Sequence, residues 1–300
     1  LIIIASIMFV SSCVNTSLQP DVVSRSDAQK QQYVVFGVIS DVTKVTIEGD
    51  REIGAATGAA IGGAIGTYYG SVIVDNCLFQ NNYCSNDGGA ISINNGTGII
   101  SNSTFKNNTS DSFGGAICTR NSDLQINNCS MKANLSIYGG AIACVAEYDS
   151  QIPLITIADS LFRRNLASNY GYGPGGAVFS ENCSVSMTNN QVEDNYGYTA
   201  ALTSYSESPA DIQIQNNKFC GNIFNDWALN VTDLGGNTSS QNCTCSGDIN
   251  SDGIINTIDL LEIISHLGNY YTPEHDVNRD FEIDILDVLE IISNFQTDCH

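Results

Sequence analysis

A repeat constrains this chain more than anything else in it. Aligned on one bulky apolar position, Phe79, Phe105, Met131, Phe162, Val192 and Phe219 recur at spacings of 26, 26, 31, 30 and 27 residues. Asparagine follows three residues after each: Asn82, Asn108, Asn134, Asn165, Asn195 and Asn222. Three residues before each stand Asn76, Asn102, Asn128, Asp159, Asn189 and Asn216. The positions five and seven before are mostly aliphatic, as at Ile126 and Leu124. Residues two apart share one face of a strand, so each repeat reads as an aliphatic pair, a polar bend and an inward anchor. Four repeats add Gly-Gly-Ala-(Ile or Val), beginning at Gly88, Gly114, Gly139 and Gly175.

Short β-rich runs with Asn and Gly at the corners, recurring at this period, are what one coil of a parallel β-helix needs. A helical solenoid would need 3.6-residue periodicity, which the repeats lack. The expected fold is therefore mainly β: a right-handed parallel β-helix over residues 71–225, followed by a small α-helical module. Stacked coils put like over like, so the Phe row fills the interior while the Asn row chains its amides. Asp159 is a structural substitute in the Asn row. Expanded periods, as between Met131 and Phe162, are expected as loops on one face. The Gly-Gly-Ala and Phe-x-x-Asn signatures resemble the repeats of the polymorphic membrane protein adhesins. More broadly they resemble the right-handed, pectate-lyase-like β-helices of secreted proteins. That resemblance covers about half the chain and implies a fold; β-helices host lyases, hydrolases and adhesins alike.

A net charge of −21 and a pI near 4.1 argue against a nucleic-acid partner. His266, His275 and His300 are the only histidines and lie outside the repeats, which excludes a His-based mechanism on the β-helix. The sequence shows neither an Arg base beside calcium-binding Asp nor an Asp cluster with Arg and Lys. The residue after the anchor is Lys106, Lys132 and Arg163 in three successive coils. With the anchor inside, these would form an outward basic row able to hold an anionic polysaccharide; the plain alternative is a solvated face. Eleven cysteines form no CxxC metal pair. Cys77 and Cys129 share a register two coils apart, beyond disulfide reach, and the repeat cysteines read mostly as packed thiols.

Leu1 to Val10 is an apolar run ending in Val10-Ser11-Ser12-Cys13. It resembles a bacterial lipoprotein signal (residues 1–12), which implies lipidation of Cys13 and an outer-membrane or cell-surface anchor. Tyr33 to Glu48 reads as two strands around Ser40-Asp41. Gly54, Gly58, Gly62, Gly66 and Gly70 recur every fourth residue and would form one smooth ridge on a helix. With the lipobox, residues 1–70 resemble the glycine-zipper outer-membrane lipoproteins. The uncharged stretch 53–74 is long enough as a helix to span a bilayer of about 30 Å, or to lie as a cap over the first coil.

After an expected linker at 226–242, the segment 243–300 carries the most specific pattern. Asp248, Asn250, Asp252, Gly253, Asn256 and Asp259 fall at positions 1, 3, 5, 6, 9 and 12 of a calcium loop. Asp276, Asn278, Asp280, Asp284 and Asp287 repeat the set 28 residues later, and Ile254 and Glu282 stand where position 7 offers a carbonyl. Two calcium ions are expected. Each loop runs into an amphipathic helix, with no helix before it, and the pair resembles a type I dockerin over Cys245 to Cys299. The resemblance implies a cohesin-like partner. Phe281 replaces the position-6 glycine of the second loop, and Thr257-Ile258 and Ile285-Leu286 stand in place of a Ser-Thr pair. Twelve carboxylates face one Arg279 between Thr244 and His300, so the module is expected to need its metal to fold. Its ends should meet, pairing Cys299 with Cys245 or Cys243, of which Cys245 is favoured. Two functions remain open. One is a non-catalytic cell-envelope or extracellular β-helix, for adhesion or polysaccharide binding, attached by its dockerin. The other is a polysaccharide lyase or glycoside hydrolase, because dockerins usually ride on such enzymes.

Overall fold

The computed structural model describes residues 46–48, 63–147, 151–168, 173–205, 211–228, 230–240, 243, 247–250, 253–268, 275–278, 280 and 282–297. The chain divides into two compact units, 1–239 and 240–300.

The first unit is a parallel β-solenoid. Its wall is made of four sheets whose strands pair in parallel, one coil stacked on the next. Ser71–Asp75, Thr97–Ser101, Asp123–Asn127, Leu154–Ala158, Ser184–Thr188, Ile212–Gln215 and Val231–Asp233 form the first sheet. The anchor strands form the second, from Leu78–Gln80 through Lys218–Cys220, with Thr46–Glu48 at one edge and Thr238–Ser240 at the other. Two-residue strands from Tyr83–Cys84 to Leu166–Ala167 make the third. The strands after the glycine pairs, Ile91–Asn94, Ile117–Arg120, Ile142–Val145 and Val178–Glu181, lie in the fourth between Ile65–Tyr68 and Leu202–Ser204.

All six anchors are buried, as the inward reading requires, and Phe79 stacks on Phe105 at 4.8 Å with planes 2° apart. The corners explain the asparagines. The row from Asn76 to Asn216, Asp159 included, has φ between 50° and 58°, the left-handed region that Asn and Asp tolerate through their short polar side chains. On the other side of the anchor, two residues after it, the chain is left-handed again at Asn81, Asn107, Ala133, Arg164, Asp194 and Gly221. One residue further on, the asparagines turn inward and form a buried ladder. Asn134 Nδ2 donates to Asn165 Oδ1 at 2.9 Å and to the Phe105 carbonyl at 3.0 Å, while its Oδ1 accepts from Asn108 N and Nδ2 at 3.0 Å each. The same bonds run from Asn82 to Asn222. A second, shorter ladder joins Asn190, Asn217 and Asn237.

Each glycine of the pair has its own task. Gly88, Gly114, Gly139 and Gly175 have φ of 64° to 70°, while a Cβ on Gly115 would overlap the carbonyl oxygen of Gly140 in the next coil. The following Ala and Ile or Val are buried.

Several expectations are corrected. The stretch read as a glycine-zipper helix is strand over Ile65–Tyr68 and Ser71–Asp75. Gly63 N donates to the Gly88 carbonyl and Ala64 N to the Ala90 carbonyl, so Gly63-Ala64-Ile65 is a further copy of the Gly-Ala-Ile signature, and its 26-residue period outweighs the four-residue spacing. The solenoid thus begins before Ser71. Gly54, Gly58 and Gly62, Ser40-Asp41, and the signal segment with Cys13 lie outside the described residues. No helix among the described residues is long and apolar enough to cross a membrane. The expected linker continues the solenoid: Val231–Asp233 pairs with Ile212–Gln215, and Asn237 closes the second ladder. The expanded coils do not open on one face. The longer Met131–Phe162 repeat grows between Ile142–Val145 and Leu154–Ala158, and the Phe162–Val192 repeat grows at another corner, between Leu166–Ala167 and Val178–Glu181. Cys144 and Cys183, taken as packed thiols, form a disulfide with Cα atoms 6.2 Å apart. The register of Cys144 opposite Ser180, three residues before Cys183, brings them within reach. Cys77, Cys118 and Cys129 are free thiols.

The second unit has its own core, Ile249, Ile255, Ile263, Val277, Ile283, Val288 and Ile291. Its helices are Thr257–His266 (α1) and Ile285–Ser293 (α2).

Candidate calcium loops and docking face

The basic row is in register: Lys106 pairs beside Lys132, and Lys132 beside Arg163. It is not an open row, however. Arg163 is only 6 % exposed and lies 3.9 Å from Glu193 of the next coil. Burial raises the pKa of that carboxyl while Arg163 draws it back down. The row therefore ends against a carboxylate, and Arg163 does not present its guanidinium to solvent.

The two loops of the second unit are built alike. Asp259, at position 12, accepts from Ile249 N at 2.8 Å and Asn250 N at 3.1 Å through one oxygen, and from Asn256 N at 2.9 Å through the other. Asp287 repeats this with Val277 N, Asn278 N and Asp284 N at 2.6, 3.0 and 2.9 Å. The same aspartates complete capping boxes: Asn256 and Asp284 cap α1 and α2 and accept from Ile258 N and Leu286 N. This capping role went unread in the sequence, although Asn-x-x-Asp ahead of an apolar run is its signal. Asp248 accepts from Gly253 N, whose φ of 91° needs a glycine, and Asp276 accepts from Asp280 N. Asp252, Arg279 and Phe281 lie outside the described residues, as does the expected Cys245–Cys299 clasp. Cys243 is disulfide-bonded, as is Cys220.

The donor set suits a hard divalent cation. Asp248, Asp259, Asp276 and Asp287 are all buried, at most 5 % exposed, in a unit with a single arginine and no lysine. Ionised carboxylates are not buried together without a counter-charge, and oxygen ligands on a tight loop are what calcium takes. Asp248, Asn250, Asn256 and the Ile254 carbonyl in the first loop, and Asp276, Asn278, Asp280, Asp284 and the Glu282 carbonyl in the second, stand in the positions that would hold it.

The outer faces of the helices carry the unit's other distinctive feature. Ile258, Leu261, Ile264 and Leu267 are exposed, and 28 residues on so are Leu286, Leu289, Ile292 and Phe295. The inward residues, Ile263 and Ile291 among them, lie on another side of each helix, so the sequence is apolar on two sides where a solitary module needs only one. On the inner side His275 is buried, stacks on His266 with ring centroids 3.6 Å apart and lies 3.7 Å from Glu262.

The family described as right-handed β-helix region matches residues 40–219, more than half of the chain. The chain is a right-handed β-helix protein. The match begins ahead of Ser71, in keeping with the early strands of the solenoid. The type I dockerin domain matches residues 246–296, so this β-helix protein carries a dockerin domain there. Type I dockerins bind calcium and dock onto cohesin modules, and β-helix proteins that bear them are typically extracellular or at the cell surface. No curated protein matches the chain, and no solved structure matches it.

Proposed function

We propose that this β-helix protein is a non-catalytic binding rod, held on a cohesin-bearing partner by its dockerin, with one calcium ion in each loop. The observation that carries the reading is the doubled apolar face, Ile258, Leu261 and Ile264 on α1 and Leu286, Leu289 and Ile292 on α2, on a unit that already has a core of its own. Exposed apolar patches of this kind mark a protein partner. The Cys144–Cys183 disulfide supports an oxidising, extracytoplasmic setting.

The test is a calorimetric titration of the full chain with calcium, followed by binding to a panel of type I cohesin modules. Two ions per chain and calcium-dependent capture by at least one cohesin are expected, with capture abolished in the double variant Leu261→Asp, Leu289→Asp. Calcium-independent capture, or capture indifferent to that variant, would overturn the docking assignment. Release of reducing ends or unsaturated products from pectin, alginate or xylan would favour the polysaccharide-degrading alternative.

A further inference from the structure

The outer faces of the dockerin helices have two properties that together describe the surface they fit. The first is that they present mainly hydrocarbon. Leu261 is 62 % exposed and Leu289 52 %, with Ile258 and Ile264 beside the one and Leu286 and Ile292 beside the other. The neighbouring hydroxyls turn back onto their own helices: Ser265 Oγ donates to the Glu262 carbonyl at 2.7 Å, and Ser293 Oγ to the Glu290 carbonyl at 2.8 Å. The caps are engaged as well, since Asn256 Oδ1 and Asp284 Oδ1 accept from Ile258 N and Leu286 N. Recognition on these faces therefore rests on burying methyl and methylene groups. Such contact is non-directional and by itself does not tell one apolar partner from another.

The second property is charge. Segment 244–300 holds twelve side-chain carboxylates, one arginine and no lysine, which leaves eleven net negative charges. Two calcium ions would cancel four of these, and seven would remain. Glu262 and Glu290 stand four residues after Ile258 and Leu286, the helical spacing that makes side chains neighbours. Glu290 Oε1 accepts from the neutral Asn294 amide, which leaves its charge in place. A second copy of this chain would match the apolar stripes but set like charges against each other, and like charges across an interface oppose association. An apolar patch ringed by lysine and arginine satisfies both properties.

We propose that this dockerin selects, among cohesin modules, one whose docking surface is an apolar patch with a lysine- and arginine-rich rim, and that Glu262 and Glu290 form the acidic side of the match. The inference rests on the reading of this unit as a calcium-dependent docking module and adds the chemistry of its partner. The two properties act at different stages. Apolar contact begins when the surfaces touch and governs how slowly they part, whereas charge reaches about 10 Å at 0.1 M salt and governs how fast they meet.

The test is surface plasmon resonance of the calcium-loaded full chain on a panel of type I cohesins whose docking surfaces range from basic to acidic. Sodium chloride is varied from about 50 to about 500 mM. Capture by the basic-rimmed modules is expected, with association slowed about tenfold across that range and dissociation little changed. Glu262→Lys combined with Glu290→Lys should slow association about tenfold, while Ile258→Thr combined with Leu286→Thr should speed dissociation about tenfold. Glu290→Lys alone, which leaves the contact of Glu262 with His275 intact, should slow association in the same sense and keep the calcium-dependent circular dichroism of the parent. Preference for acidic or uncharged cohesins, association indifferent to salt, or faster association in the lysine variants would overturn the proposal. So would a homodimer dispersed by Leu261→Asp with Leu289→Asp. Calcium-dependent capture accompanied by any of these results leaves the docking module standing and sinks this inference alone, whereas capture by no cohesin sinks both.

Discussion

Asn134 makes four hydrogen bonds at zero exposure, two given and two accepted by the same amide. Truncating it would strand the Asn108 donors and take a donor from the Phe105 carbonyl in the interior, where each unsatisfied group costs about 1–3 kcal/mol, while Asn165 Oδ1 keeps the Asn134 backbone N–H. Asn134→Ala should therefore lower stability by about 3 kcal/mol, read from urea unfolding followed at a β-sheet wavelength. One residue earlier the sign reverses. Ala133 holds a φ of 51° in a row where the two preceding coils use Asn, and left-handed backbone costs about 1–2 kcal/mol for a residue with a Cβ. Ala133→Gly should gain about 0.5–1 kcal/mol after the extra chain entropy of glycine is subtracted; a loss would show that the corner is held by the methyl group. Among the thiols, burial pushes Cys118 well above its ordinary pKa, while Cys77 is raised but half-exposed. Alkylation of the native protein at mildly alkaline pH should label Cys77 first and reach Cys118 only on unfolding. Equal rates would contradict the inward placement of Cys118.

At the scale of the coil, much was legible because stacking repeats every requirement at a fixed interval. The inward anchors, the Asn row and the aliphatic pairs are each demanded six times, so chance matches are averaged away. What the sequence concealed was set by neighbours a coil distant. The second ladder mixes Cys, Ser and Asn from Cys77 to Asn237, because cysteine backbone N–H can be satisfied by a serine hydroxyl one coil on. The Gly63-Ala64-Ile65 copy was hidden under a competing spacing of four. Arg163 was placed correctly in its row, but its burial depends on what lies beside it, which spacing cannot show. In the second unit the capping boxes went unread, since Asp259 and Asp287 were read only as position-12 ligands. Gly115→Ala should cost about 2–3 kcal/mol, because its methyl group meets the Gly140 carbonyl and the two coils must part. Phe105→Ala should cost about 3–5 kcal/mol by opening a cavity in the stacked row. If the glycine change proved silent in a thermal melt, close approach of the coils would not be its role.

For the whole molecule, the two units have separate cores and separate sources of stability. Chelation with EGTA should abolish the helical circular dichroism signal of the dockerin while the β-sheet signal persists, since Asp248 and Asp276, buried in the loops of a unit with a single arginine, would lose the cation that offsets their charge. Simultaneous loss of both signals would mean that the solenoid depends on the dockerin.

The Asn ladder carries one more implication. Every rung is made by the same two groups meeting the same two groups, so nothing in a rung records how many others there are. Rod length is then a parameter that selection can change by whole coils, without redesigning a core. A chain in which residues 106–131 are duplicated in tandem should fold as readily as its parent, longer by a single strand spacing and carrying one additional rung.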